Sequence, residues 1–133
     1  MAKTNTKIRK TKKSKFKIKL PIARLFLHAE FNNSIITLTD LEGKVIAWSS
    51  SGKIGFKGTK KSTPFAAQKA TEEMIEKLRS LDTKSVHLEI WGAGLGRDSF
   101  LRTIQGTDLQ IESIKDKTSF PFGGTKPKKR RRV

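Results

Sequence analysis

Between Pro21 and Ser50 the chain alternates between its two sides three times over, with interruptions too short for anything but tight turns. Ala23, Leu25, Leu27, Ala29 and Phe31 share one side of an extended segment, and Arg24, Phe26, His28 and Glu30 share the other. That pattern predicts a strand with one buried face. Phe31-Asn32-Asn33-Ser34 reads as a turn, because asparagine tolerates left-handed backbone, and Ile35–Asp40 as a second strand rich in β-branched residues. Leu41-Glu42-Gly43-Lys44 turns the chain again into a third strand, Val45–Ser50. Strands joined so closely pair as an antiparallel meander.

The period then lengthens. Ser62 or Thr63 suits a helix cap and Pro64 the first helical position. Ala66, Ala70, Met74 and Leu78 follow at every fourth residue, with Ala67 and Ile75 widening the stripe. Glu72, Glu73, Glu76, Lys77 and Arg79 occupy the solvent side. Ser85–Trp91 is predicted as a strand with Val86, Leu88 and Ile90 inward, Arg97–Gln105 as a helix stopped by Gly106, and Leu109–Lys115 as the last strand. The order β-β-β-α-β-α-β predicts an α/β domain: a mixed β-sheet with packed helices, its second half suited to right-handed crossovers between parallel strands. No internal repeat is visible.

Charge divides the chain differently. Residues 1–19 carry nine lysines and arginines, residues 120–133 carry six, and neither segment has an acid, whereas the middle holds 14 bases against 12 acids. The net charge of +17 therefore resides in the two ends. We expect one folded domain over residues 20–119, a basic N-terminal extension over 1–19 and a basic C-terminal tail over 120–133. Both ends are expected to be disordered in the free protein, since charge runs bury too little apolar surface to offset chain entropy. A near-neutral body with cationic arms suits a polyanion, because each base set on a phosphate releases condensed counterions. An import leader competes for the N-terminal run, and a nuclear-localisation signal for Lys126-Pro127-Lys128-Lys129-Arg130-Arg131-Arg132-Val133. The sequence has no cysteine, so disulfides and thiolate zinc sites are excluded, and its two histidines are too few for a metal cage. No cofactor is expected. No apolar run approaches the roughly 20 residues of a membrane span, and the N-terminus lacks the apolar core of a secretory signal. A soluble protein that works where it is made is expected.

Two glycine-bearing loops precede helices. Gly52, Gly55 and Gly58 allow close backbone approach to a phosphate, Lys53, Lys57, Lys60 and Lys61 supply charge, and Ser62 and Thr63 supply hydroxyl donors. Phe56 among these lysines is a small hydrophobic anchor or a stacking surface for an unpaired base. Gly92, Gly94 and Gly96 followed by Arg97 repeat the design. Neither loop is a nucleotide fingerprint. Lys57 stands where a P-loop started at Gly52 needs its second glycine, and Arg97 stands where the dinucleotide pattern needs its third. Asp40, Glu89, Asp98 and Asp116 could be assembled on paper into a metal-dependent nuclease cluster, and a non-specific nucleic-acid coating protein is a second alternative. Turn and surface acids in a basic chain are more simply charge-balancing partners, so no catalytic residue is assigned.

The segments "HAEFNNSIITLTD", "GFKGTKKSTPFAAQ", "GLGRDSFLRTI" and "KPKKRRRV", in this order and spacing, closely resemble the universal family of small-subunit ribosomal protein eleven. The resemblance covers about residues 22–133. It implies a structural RNA-binding protein of the small ribosomal subunit, not an enzyme. It further implies a place on the platform, on the central domain of small-subunit rRNA, near the exit site and the messenger RNA exit path. Small-subunit proteins six, eighteen and seven are the implied neighbours, and no membrane is involved. Carried over residue by residue, the rRNA-binding elements are Asn32 and Asn33, the loop from Gly52 to Thr63, Gly92, Gly94, Gly96 and Arg97, and the tail bases Lys126, Lys128, Lys129, Arg130, Arg131 and Arg132. The chain departs from the family at Ala93, where proline is usual, which should loosen that loop. It also departs at Pro121–Pro127, where a histidine, an asparagine and an arginine are missing and Lys126 keeps the charge. Lysine outnumbers arginine 21 to 8, which suggests an AT-rich genome. With the divergent tail, this favours an organellar ribosome, mitochondrial or plastid, over the bacterial cytoplasm.

Overall fold

A computed structural model describes residues 19–133; the expected N-terminal extension, apart from Lys19, lies outside the described residues. The described chain runs β1 (Ile22–Ala29), β2 (Ser34–Thr39), β3 (Val45–Ser50), α1 (Ser51–Ile54), a 3₁₀ turn (Gly58–Ser62), α2 (Pro64–Ser80), β4 (Ser85–Trp91), α3 (Gly96–Gln105) and β5 (Gln110–Asp116). One sheet orders its strands β3-β2-β1-β4-β5. The meander β1-β2-β3 is antiparallel, and β4 joins β1, and β5 joins β4, in parallel. The mixed α/β sheet is the one the change of period predicts.

The core lies on one face of this sheet. Ala23, Leu25, Leu27 and Ala29 from β1, Ile36 and Leu38 from β2, and Val86, Leu88 and Ile90 from β4 are buried against Ala70, Met74 and Leu78 of α2 and Phe100 and Ile104 of α3. Ala66 and Ala67, also buried, are small enough to bring the start of α2 close to its neighbours. Phe31 does not join the buried row. Strand β1 ends at Ala29, and the turn, closed by the Glu30 N–H donating to the Asn33 carbonyl at 2.9 Å, swings the ring out to 77% exposure.

The basic loop, expected only as a glycine-bearing loop before a helix, holds two short helical pieces. Neither carries an apolar stripe. Ser50 caps α1 by accepting from the Lys53 N–H at 3.1 Å, and Gly55 ends it with φ +118°, a left-handed angle that glycine adopts at little cost. Of the two candidate caps, Ser62 and Thr63, it is Thr63 that caps α2, though the bond from the Ala66 N–H is long at 3.4 Å.

Candidate nucleic-acid interface

The strand register places the candidate loops together. Ala29 is opposite Ser34, Ile35 opposite Ser50, His28 opposite Trp91 and Ile90 opposite Asp116. One rim of the sheet therefore carries the Asn32-Asn33 turn, the start of the basic loop, the Gly92–Arg97 loop and the root of the C-terminal tail. This is also the rim at the carboxyl ends of the parallel strands β1, β4 and β5, the usual place for ligands in open α/β sheets.

Within the basic loop the lysines are not equivalent. Lys53 donates from Nζ to the Trp48 carbonyl at 2.9 Å and to Glu73 at 3.3 Å, and lies 4.9 Å from the centre of the Trp48 ring. Burial pushes the Glu73 carboxyl up, but hydrogen bonds from Ser49, Lys77 and Lys53 outweigh it and hold the group at about 2. The Lys53 charge is thus already answered inside the protein. Lys57, Lys60 and Lys61 make no ion pair among the described residues, and Lys57 and Lys60 are exposed. Ser62 donates its hydroxyl proton to the Thr59 carbonyl at 2.9 Å, and Thr63 donates to the Lys60 carbonyl at 2.7 Å. Both hydroxyls thus fix the shape of the turn, where the sequence suggested donors to an anion. Phe56 is half-buried and meets Phe65 edge-on at 6.0 Å, which fits the anchor reading.

The second loop is built for close packing. A Cβ on Gly92 would lie 2.1 Å from the Ala29 carbonyl oxygen, one on Gly94 2.4 Å from the Glu30 oxygen, and one on Gly96 2.4 Å from Ser34 Oγ. The Gly92 N–H donates to Thr118 Oγ1 at 3.2 Å and the Gly94 N–H to the Ala29 carbonyl at 2.9 Å, so the loop is tied despite Ala93. Arg97 donates to the Gly92 carbonyl at 2.9 Å and pairs with Asp116. Hydrogen bonds from the Thr118 hydroxyl and N–H, and then from the Arg97 guanidinium, hold the Asp116 carboxyl down at about 2. Arg97, Asp116 and Thr118 together form a clasp that fixes where the tail begins. Past it the chain has no helix or strand, and Lys126, Lys128, Lys129, Arg130, Arg131 and Arg132 are exposed.

Asn32 is exposed, and Asn33 caps the turn by accepting from the Ser34 N–H at 3.0 Å. The acids weighed for a nuclease have other partners or stand apart. Asp40 Oδ1 accepts from the Lys44 N–H at 2.8 Å, Glu89 is buried and paired with Lys117, and Asp116 belongs to the clasp. No three His, Cys, Asp or Glu side chains converge among the described residues. Sequence reasoning placed Glu73 only on the solvent side of α2, weighed Asp116 only as a nuclease acid or a charge-balancing partner, and missed Thr118. The four-residue spacing of Glu73 and Lys77 is the one legible hint for the first, and nothing in the sequence signals the clasp.

A family model described as ribosomal protein S11 matches residues 22–132. The small ribosomal subunit protein uS11c of Cyanidium caldarium is 48% identical over 128 residues, 95% of this chain and 99% of that protein. The small ribosomal subunit protein uS11 of Treponema pallidum, the same in two strains, is 43% identical over 123 residues, 92% of this chain and 98% of that protein.

Proposed function

This chain belongs to the ribosomal protein S11 family, and from that premise we propose that its cationic rim grips the central domain of small-subunit rRNA. It is a structural protein of the small ribosomal subunit, not an enzyme. The observation that carries the finer reading is the convergence of the Asn32-Asn33 turn, the basic loop and the tail root on one rim, with Lys57, Lys60 and Lys61 making no ion pair among the described residues. Fixed lysines on a short 3₁₀ turn meet a phosphate path with little ordering left to do, and the extended tail follows the backbone between RNA helices. Gly92, Gly94 and Gly96 act by holding this rim together, while Arg97 aims the tail. Folded RNA is recognised chiefly by shape and backbone contacts, which is what such a rim offers.

By family resemblance the protein sits on the platform beside small-subunit proteins six and eighteen, with seven near the exit site and the messenger path close by. The lysine bias and the altered Pro121–Pro127 stretch favour an organellar ribosome over that of the bacterial cytoplasm. Co-sedimentation with small subunits from isolated organelles, compared with those of the surrounding cytoplasm, tests that assignment.

Salt titration against a central-domain rRNA transcript, with an unrelated folded RNA and duplex DNA as competitors, tests the RNA reading. Preference for the transcript is expected to persist at physiological salt. Replacing Lys57, Lys60 and Lys61 with alanine is expected to weaken binding and flatten the log–log salt slope by roughly 0.7–0.9 for each phosphate no longer neutralised. Equal affinity for all three nucleic acids, collapsing together as salt rises, favours the coating protein.

A further inference from the structure

Beside the rim lies a cleft of about 370 Å³ whose walls include His28, Phe31, Asn32, Trp91, Ala93 and Thr118. Its aromatic walls are open to water: Phe31 is 77% exposed and Trp91 43% exposed. The Trp91 ring is held in place. His28 lies against Trp91 with ring centres 4.1 Å apart, and its Nε2 is held 2.8 Å from Glu30 Oε1, so the indole is backed and oriented before anything binds. The exposed Asn32 carboxamide, with one donor group and one acceptor, makes no side-chain hydrogen bond among the described residues.

The charge around the cleft argues against a phosphate. Asp116 balances Arg97 and the Glu30 carboxylate stands beside His28, so no surplus of positive charge lines the cleft. Flat apolar walls, an adaptable amide and no surplus positive charge suit a neutral, planar, hydrogen-bonding ring. The basic loop leaves β3 opposite Ile35, one strand away from the turn that carries Phe31 and Asn32. The cleft and the basic loop therefore lie at the same end of the sheet.

Resting on the RNA-binding reading, we propose that this cleft receives one unpaired nucleobase of the bound rRNA, stacked against Trp91 and Phe31, with Asn32 on its hydrogen-bonding edge. A paired base cannot enter, because its edge is occupied and its faces are stacked within the helix, so the cleft selects for a bulged or looped nucleotide. It adds shape and base discrimination to a rim whose other contacts are to backbone.

The test uses the full chain and the central-domain rRNA transcript. In a Trp48→Phe background Trp91 is the sole tryptophan, and stacking of a base on it is expected to quench its emission as the transcript is added. Phe31→Ala is expected to lower affinity roughly 5- to 100-fold, and Asn32→Ala less, with the salt slope unchanged because neither residue carries charge. The lysine-loop variant should do the reverse, flattening the slope while leaving the Trp91 quench intact at saturation. Wild-type affinity in Phe31→Ala and Asn32→Ala, alongside a weakened lysine variant, overturns the nucleobase site and leaves the RNA reading standing. Trp91 emission unchanged by the transcript but altered on incorporation into whole small subunits also overturns it, in favour of a protein occupant. Loss of the wild-type preference for the transcript over duplex DNA removes both readings together.

Discussion

At the scale of single residues, Gly92 and Glu73 do the most to hold the rim. Gly92 combines φ +100° with a virtual Cβ 2.1 Å from the Ala29 oxygen, so alanine there meets both backbone strain and a clash with main chain that cannot swing away. Gly43 has a similar angle, φ +91°, with nothing within 4 Å. Gly43→Ala is therefore expected to cost about 1 kcal/mol from strain alone, and Gly92→Ala at least about 2 kcal/mol more; urea unfolding of the two variants measures the difference. Equal costs would show that the Gly92 loop yields and is not pinned to β1. Glu73 makes stability depend on acid. Its carboxyl is held at about 2 against an ordinary 4.5, so its stabilising pull is complete above about 4.5 and fades as pH falls toward 2. Glu73→Gln is expected to unfold at lower urea than the parent at neutral pH, and the gap should close as the pH is taken from about 4.5 down to 2. A gap that stays constant over that range would mean the lysines, Ser49 and Glu73 are coupled by packing and not by charge. Asp116, held low by Thr118 and Arg97, titrates in the same acid window, so the glutamine variant keeps some acid sensitivity.

Among the elements, the 3₁₀ turn and the start of α2 act as one unit through Thr63. Its hydroxyl donates to the Lys60 carbonyl at 2.7 Å and accepts from the Ala66 N–H at 3.4 Å, so one side chain both caps the helix and fixes the lysine turn. Thr63→Ala is expected to cost about 0.5–1 kcal/mol, the low end for removal of a cap because the capping bond is long, and to weaken RNA binding as well. Thr63→Ser should recover both. Recovery of stability without recovery of binding would separate the cap from the placement of the lysines. These elements also mark how far the sequence could be read. The alanine and methionine stripe of α2, the alternation of β1 and the inward row of β4 were legible because burial imposes a period on a long segment. The 51–62 segment was not, because a four-residue helix and a 3₁₀ turn are set by caps and glycine angles, which leave no period. Phe31 was misplaced for a related reason: alternation says which side a residue takes while the strand lasts, but the strand's end is decided by the turn. The rim's lysines were legible by charge, yet only the fold reveals that Glu73 answers Lys53 and that the Gly92–Gly96 run packs closely against Ala29, Glu30 and Ser34.

For the whole molecule, the decisive feature is that a body of nearly balanced charge is joined to strongly basic ends. The body's own contacts reach from Leu20, whose N–H donates to the Leu81 carbonyl at 3.0 Å, to the Thr118 clasp. Beyond the clasp, residues 120–133 are exposed and carry six bases, so they contribute charge without burial. Ending the chain after Ser119 is therefore expected to leave the urea midpoint unchanged, because the clasp and every buried side chain are retained. RNA affinity should fall, and the log–log salt slope should flatten by at most about 4–5, the value if all six bases sit on phosphates. A flattening of about 1–2 would mean that most of the tail's bases lie off the RNA, free to meet a protein neighbour. An unchanged slope with lowered affinity would assign the tail's effect to Phe120 and Phe122, whose rings lie 4.8 Å apart and are 69% and 90% exposed. Replacing only those two phenylalanines in the full chain then distinguishes ring contacts from charge, since that change leaves all six bases in place.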